Sequence, residues 1–192
     1  FPFLLSSTLI MSENLPNSSQ ETATLGGGCF WCVEAVFQRV DGVIDVKPGY
    51  AGGHVKNPTY KEICTGNTGH AEVARVEFDP ELISYDQILN VFWQAHDPTT
   101  VNRQGNDVGI QYRSVIFYHS ESQKETAEKS KVEAGKSGYW TEPVVTEITE
   151  LNNYSEAEDY HNNYYNDNPN QPYCMFVIKP KLDKLEKRGI ID

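Results

Sequence analysis

The residues best suited to chemistry stand together in GGGCFWCVE, residues 26–34. Cys29 follows three glycines, two aromatics come next, and Cys32 completes a C-x-x-C pair. Glycines accept positive φ and let main chain approach a ligand closely. Val33, Val36, Phe37 and Val40 recur at i, i+3, i+4 and i+7, which predicts a helix ending near Asp41-Gly42. Cys29 is thereby delivered to the first turn of a helix, where free N–H groups and the helix dipole favour negative charge. That predicts a lowered thiol pKa and a nucleophile active near neutral pH. The competing reading is a glycine-rich helix entry carrying a buried, inert cysteine.

Cys32 lies one helical turn further on the same side. The pair could form a disulfide, as in dithiol oxidoreductases, or supply half of a zinc site. Zinc needs a second pair at suitable spacing, and Cys64 and Cys174 are isolated from each other. Phe30 and Trp31 form a bulky apolar insert where thioredoxin-like proteins place small residues or proline. Aromatic rings beside a nucleophile suit a small apolar group such as a methyl on sulfur; alternatively the two rings belong to the core. A second feature stands apart from the cysteines. His70 to Phe78 alternates as a strand, and Glu72 shares the parity of Ala74, Val76 and Phe78. An acid on that apolar face would have a raised pKa and serve as a general acid, unless it lies at a frayed strand start or pairs with Arg75. Tyr50, Tyr60 and Tyr112 sit in loop segments from which they could donate to a polar oxygen. Asp107 could orient a water or a tyrosine.

The positioning elements follow from the rest of the chain. Its 192 residues suit one domain, with 27 acidic against 16 basic side chains and a formal net charge of −11. That balance disfavours nucleic acid or an anionic membrane as partner. No apolar run is long enough to span a membrane. Four cysteines do not make a disulfide scaffold, so a reducing, cytoplasmic setting is expected. FPFLLSSTLI could be the stub of a targeting peptide, leaving organelle import open, and Met11 looks like a natural start. Residues 1–22 read as a flexible extension and 23–192 as a single catalytic domain. Strands are predicted at 43–47, closed by Pro48-Gly49, and at 70–78, 113–119, 144–148 and 174–178. Further helices are predicted from Ser84, from Ser120 to about Lys136, from Ser155 to about Tyr165, and from Lys181 to Arg188. Ser84 with Gln87, Ser120 with Gln123 and Ser155 with Glu158 read as capping pairs. Residues 50–70 and 99–111 read as long structured loops of functional type. The alternation gives an α/β (α+β) two-layer sandwich around a mixed sheet.

Taken together, these residues resemble the A-type peptide methionine sulfoxide reductases. GCFWCVEAVF (28–37) is similar to that family's active-site signature, and GYAGG, NPTYKEIC, TGHAEV, HDPTT, QGNDVGIQYRS, AEDYHNNYY and NPNQPYC match further blocks in order, from about Thr24 to Lys187. The resemblance implies a ferredoxin-like α/β-plait core and reduction of the S epimer of methionine sulfoxide, free or in proteins. It implies Cys29 as nucleophile, Phe30 and Trp31 as the methyl pocket, and Glu72 as the acid protonating the sulfoxide oxygen. Tyr60 and Tyr112 would hydrogen-bond that oxygen, with Asp107 supporting them through a water. Cys29 would become a sulfenic acid, a second thiol would close a disulfide, and thioredoxin (dithiothreitol in vitro) would reduce it. No metal or bound cofactor is implied, and a monomer is expected.

The chain departs from a common family pattern at Cys32, where many members have glycine. Two resolving thiols are therefore available. Cys174 is preferred, because its Asn/Pro-rich flank is flexible and a disulfide within a helical turn is strained. Cys64 reads as structural. The rival functions are a general dithiol-disulfide oxidoreductase using Cys29 and Cys32, and a redox-sensing or methionine-binding module without turnover.

Overall fold

The computed structural model describes residues 19–192. The targeting stub and the start at Met11 expected from the sequence lie outside those residues, as does most of the 1–22 extension. Glu21 and Thr22 are already paired in the first strand, β1 (Glu21–Gly27). The sequence reading missed β1, because ETATLGG carries one branched aliphatic residue and ends in glycines. It is nevertheless central: it pairs on both sides, and its last five residues are buried.

Six elements build the core in the order β1, α1 (Phe30–Phe37), β2 (Val43–Ala51), then, beyond the short α2 (Tyr60–Cys64), β3 (Ala71–Phe78), α3 (Tyr85–Ala95) and, after a small hairpin of β4 (Arg103–Gln104) and β5 (Asp107–Val108), β6 (Ser114–Tyr118). Across the sheet the four strands run β6-β1-β3-β2, all antiparallel to their neighbours. That is the split βαβ arrangement of a ferredoxin-like plait, as the family resemblance implies. The exposed helix α4 (Glu121–Lys136) leads to β7 (Glu147–Glu150), which adds in parallel to β6 and makes the sheet mixed. Two-residue β8 (Ser155–Glu156) extends the other edge beside β2. The chain closes with α5 (Tyr164–Asp167), a π-helical turn over Cys174–Ile178, and α6 (Lys179–Lys187).

The main core lies between one sheet face and helices α1, α3 and α6, with Phe30, Phe37, Phe78, Ile88 and Phe92 buried to 1 % exposure or less. Ala71, Val73, Val115 and Phe117 form a smaller cluster on the opposite face. Ser84 and Gln87 form the predicted reciprocal capping box of α3. Leu182 and Leu185 of α6 point inward as predicted.

Beyond the missed β1, α1 ends at Phe37 rather than near Asp41-Gly42, and four further elements differ from the sequence reading. β2 does not stop at Pro48-Gly49 but continues to Ala51. The carbonyl of Pro48 accepts from Ala157 N–H on the outer side, so the missing proline N–H faces the edge and breaks no bond to β3. Strand pairing of β7 starts at Glu147 rather than at 144, because Val145 N–H is taken by the Pro98 carbonyl. Ser155 begins no helix: it lies in β8, and a 3₁₀ turn at Asp159–His161 precedes α5. Glu158 is occupied elsewhere, accepting from Tyr50 and Tyr60. The apolar run CMFVI is a helical turn and not a strand, since its two buried residues, Cys174 and Ile178, are four apart and not alternate.

Candidate active site

Gly28 makes the turn from β1 into α1 at φ +93°, a value glycine adopts without strain. Cys29 then stands at the N-cap of α1 with φ −57° and ψ 127°, outside the helix itself. Its carbonyl accepts from Cys32 N–H at 3.0 Å. The two thiols are close enough to influence each other's ionisation. Cys29 is 8 % exposed and Cys32 3 %. Burial pushes the Cys29 thiol well up, helped by Cys32 and the nearby Glu72 carboxyl. The neighbouring Cys29 thiol brings Cys32 down to about 6 against the opposing effect of burial, with Lys181 assisting. The lowered pKa expected for Cys29 from its helix N-terminus is thus not what the site displays. Desolvation outweighs the helix dipole at Cys29.

Glu72 lies on β3 opposite Tyr50 of β2, on the buried face that parity predicts, and is 1 % exposed. Its Oε2 accepts from Phe30 N–H at 3.0 Å, which fixes the carboxyl beside the start of α1. Burial raises its pKa to about 8, against the pull of that N–H. The carboxyl is therefore protonated at neutral pH and able to donate. Tyr60, on α2, and Tyr112, in the 3₁₀ turn before β6, are half-buried within electrostatic range of Glu72. Burial raises both hydroxyls, so they stay protonated as donors.

Asp107 orients a tyrosine, one of the two partners its sequence reading allowed, and that tyrosine is Tyr173. Its Oδ2 accepts from the Tyr173 hydroxyl at 2.6 Å, and the same oxygen of Tyr173 lies 3.6 Å from Cys32 Sγ. Asp107, Tyr173, Cys29, Cys32 and Lys181 line one cavity of about 410 Å³, whose rim includes Phe176. Cys174 is buried in the π-helical turn beside Tyr173, its thiol raised by burial. Cys64, read from the sequence as structural, is exposed on α2, and burial of its thiol raises its pKa. Among the described residues no group of three or more His, Cys, Asp or Glu converges as a metal site.

Phe30 and Trp31 take different places. Phe30 is fully buried against Tyr50, Tyr60 and His161. Trp31 is half-buried, stacked on Tyr164 at 3.8 Å and 7°, with Tyr173 edge-on at 5.9 Å. Trp31 is thus the more accessible of the two rings, and Phe30 packs within the core beneath it.

Comparison with known proteins bears directly on this arrangement. The family profile described as peptide methionine sulfoxide reductase matches residues 21–191. The chain belongs to the peptide methionine sulfoxide reductase family. Among curated members, the peptide methionine sulfoxide reductase MsrA of Leptospira borgpetersenii is 57 % identical over 88 % of this chain and 95 % of its own length. Mxr1 from Saccharomyces cerevisiae in reduced form superposes with a TM-score of 0.77 at 36 % identity, covering 82 % of this chain and 91 % of that one. Mxr1 in complex with Trx2 matches with a TM-score of 0.56 at 26 % identity, covering 78 % and 89 %. Within this family member, the fold brings Cys29, Cys32, Glu72, Tyr60, Tyr112 and Asp107 into one region, with Cys174 behind Cys32.

Tyr173, Glu34, Tyr164 and His161 were not singled out by sequence reasoning, and Glu158 was read only as a helix cap. Glu34, 1 % exposed on α1, accepts from the N–H groups of Asn163 and Tyr164 at 2.7 and 3.3 Å and so holds the ring that stacks on Trp31. The available signal was a lone acid among apolar residues in FWCVEAVF. Tyr173 carried only its adjacency to Cys174.

Proposed function

We propose that this protein reduces methionine S-sulfoxide, free or protein-bound, with Cys29 as nucleophile, Glu72 as general acid and thioredoxin as reductant. The observation that carries the reading is the buried Glu72 carboxyl, protonated at neutral pH and fixed at the α1 N-terminus beside Cys29. The Cys29 proton passes to the neighbouring Cys32 thiolate as Cys29 attacks the substrate sulfur. Glu72 gives its proton to the sulfoxide oxygen, assisted by the Tyr60 and Tyr112 hydroxyls. The protonated oxygen then passes from the substrate sulfur to Cys29 sulfur: the substrate S–O bond and the transient S–S bond break as the Cys29 S–O bond forms, so methionine leaves and Cys29 carries the oxygen as a sulfenic acid. Trp31 receives the substrate methyl, with Phe30 behind it.

Cys32 then attacks Cys29 sulfur, and the departing hydroxyl takes the Cys32 proton to leave as water. One sulfoxide oxygen and two protons account for that water, and two thiols become one disulfide. The strain argument against Cys32 loses its force here. Cys29 is the N-cap with extended backbone, so the bridge need not close inside a regular helical turn. Tyr173, between Cys32 and Asp107, orients the resolving thiol. Cys174 would have to leave its buried place to reach Cys29, which suits a second exchange that passes the disulfide outward to thioredoxin.

A general dithiol oxidoreductase would leave Glu72 and the aromatic wall without a task. The test is steady-state turnover with a thioredoxin system on each sulfoxide epimer. Turnover of the S epimer with an inert R epimer is expected, since exchanging oxygen and methyl puts a polar atom against Trp31. Comparable rates on both epimers would overturn the pocket assignment.

A further inference from the structure

We propose that Glu158 and His161 form a positioning dyad that sets the orientation of Trp31 and, through it, substrate recognition at Cys29. This rests on the reading of Trp31 as the wall that receives the substrate methyl. His161 is fully buried, in the 3₁₀ turn before α5. Its Nδ1 accepts the indole N–H of Trp31 at 3.0 Å. A ring nitrogen that accepts must be unprotonated, so the proton of the neutral ring sits on Nε2. Nε2 faces Glu158 Oε2 at 3.3 Å. The contact is electrostatic and not a well-aligned hydrogen bond, and Nε2 has no other partner. The carboxylate thus selects the one tautomer able to receive the indole. Burial lowers the basicity of His161 despite Glu158, which keeps the ring neutral.

Glu158 is fixed in turn. Its Oε2 accepts from the Tyr50 hydroxyl at 2.8 Å, and its Oε1 from the Tyr60 backbone N–H at 2.7 Å. One carboxylate therefore ties together β2, the start of α2 with its sulfoxide-facing Tyr60, and the imidazole holding Trp31. The His161 ring is enclosed by Phe30 at 4.8 Å, Tyr60 at 4.5 Å and Tyr160 at 4.1 Å, so it cannot swing. Stacking on Tyr164 fixes the plane of Trp31 but leaves it free to slide within that plane. The hydrogen bond to His161 removes this freedom.

The experiment uses the full chain with His161→Leu, His161→Gln, Glu158→Gln and Trp31→Ala, measuring kcat and KM for a methionine-S-sulfoxide peptide. The emission of Trp31 is read in each protein by subtracting the corresponding Trp31→Phe variant. His161→Leu should shift the Trp31 emission and raise KM about tenfold, with a smaller change in kcat. His161→Gln offers an amide oxygen to the indole and should recover most of the loss. Glu158→Gln should fall between them. If Trp31→Ala raises KM while His161→Leu changes neither KM nor the Trp31 emission, the dyad proposal is overturned. If His161→Gln is no better than His161→Leu, the hydrogen bond is not what matters, and the proposal fails again. If Trp31→Ala itself leaves KM unchanged, it is the assignment of Trp31 as the substrate wall that fails.

Discussion

Replacing Glu72 with glutamine should remove activity and stabilise the fold at the same time. Glutamine keeps the shape and can still accept the Phe30 N–H, but it has no proton to give. Loss of a general acid costs typically 10²–10⁴-fold in rate, so single-turnover methionine formation should slow by about that factor. The stability change follows from the carboxyl's raised pKa of about 8 in the fold, against an ordinary value of 4.5. A pKa raised on folding favours the native state fully below pH 4.5, and that advantage is lost as pH rises to about 8. At pH 7 the unfolded chain gains about 3 kcal/mol by ionising Glu72, from ~1.36 kcal/mol per pH unit. Glutamine is neutral in both states and removes that gain, which corresponds to a melting temperature higher by roughly 6–12 °C for a chain this size. The difference between variant and parent should shrink toward zero near pH 4.5. The measurements are calorimetry across pH 4.5–8 and rapid-quench methionine formation. A variant as active as the parent, or a stability difference independent of pH, would refute the buried-acid reasoning.

Three further outcomes are expected. Tyr173→Phe removes the hydroxyl between Cys32 and Asp107; disulfide closure should slow about tenfold while the first methionine forms at the parental rate, as followed by quenched alkylation. Glu34→Ala removes the acceptor of two backbone N–H groups and should cost about 2–4 kcal/mol by denaturant unfolding, with weaker Trp31–Tyr164 stacking visible in near-ultraviolet circular dichroism. Gly53→Ala would drive a methyl into the His70 ring and the Thr68 carbonyl, and should destabilise by about 1–3 kcal/mol in the same assay.

Sequence patterning revealed the elements whose apolar period was long and unambiguous. The face of α1, the capping box of α3 and the parity of Glu72 all carried local physical signals, and each is where the sequence puts it. Short segments were harder, because their conformation is set by partners distant in the chain. Ser155 and Glu158 look like a helix cap, yet Glu158 is committed to residues 98 and 108 positions away. CMFVI is apolar enough for a strand, but only its packing against the fold shows that the buried residues are four apart. The thiol pair was misjudged for a similar reason. A helix N-terminus is visible in sequence, whereas the desolvation that overrides it depends on everything packed above Cys29. The cross-chain contacts that hold Trp31 leave no trace in spacing.

The most direct test is one turnover without external reductant. Fully reduced protein is mixed with one equivalent of a methionine-S-sulfoxide peptide, quenched by alkylation at successive times, and analysed for methionine and for disulfides by mass spectrometry. The account predicts one methionine per chain and an early Cys29–Cys32 disulfide, with Cys174 entering only later. Methionine accompanied from the outset by a Cys29–Cys174 bridge would contradict the assignment of Cys32. No methionine at all, with Cys29 and Cys32 still exchanging with added disulfides, would contradict the reductase chemistry itself.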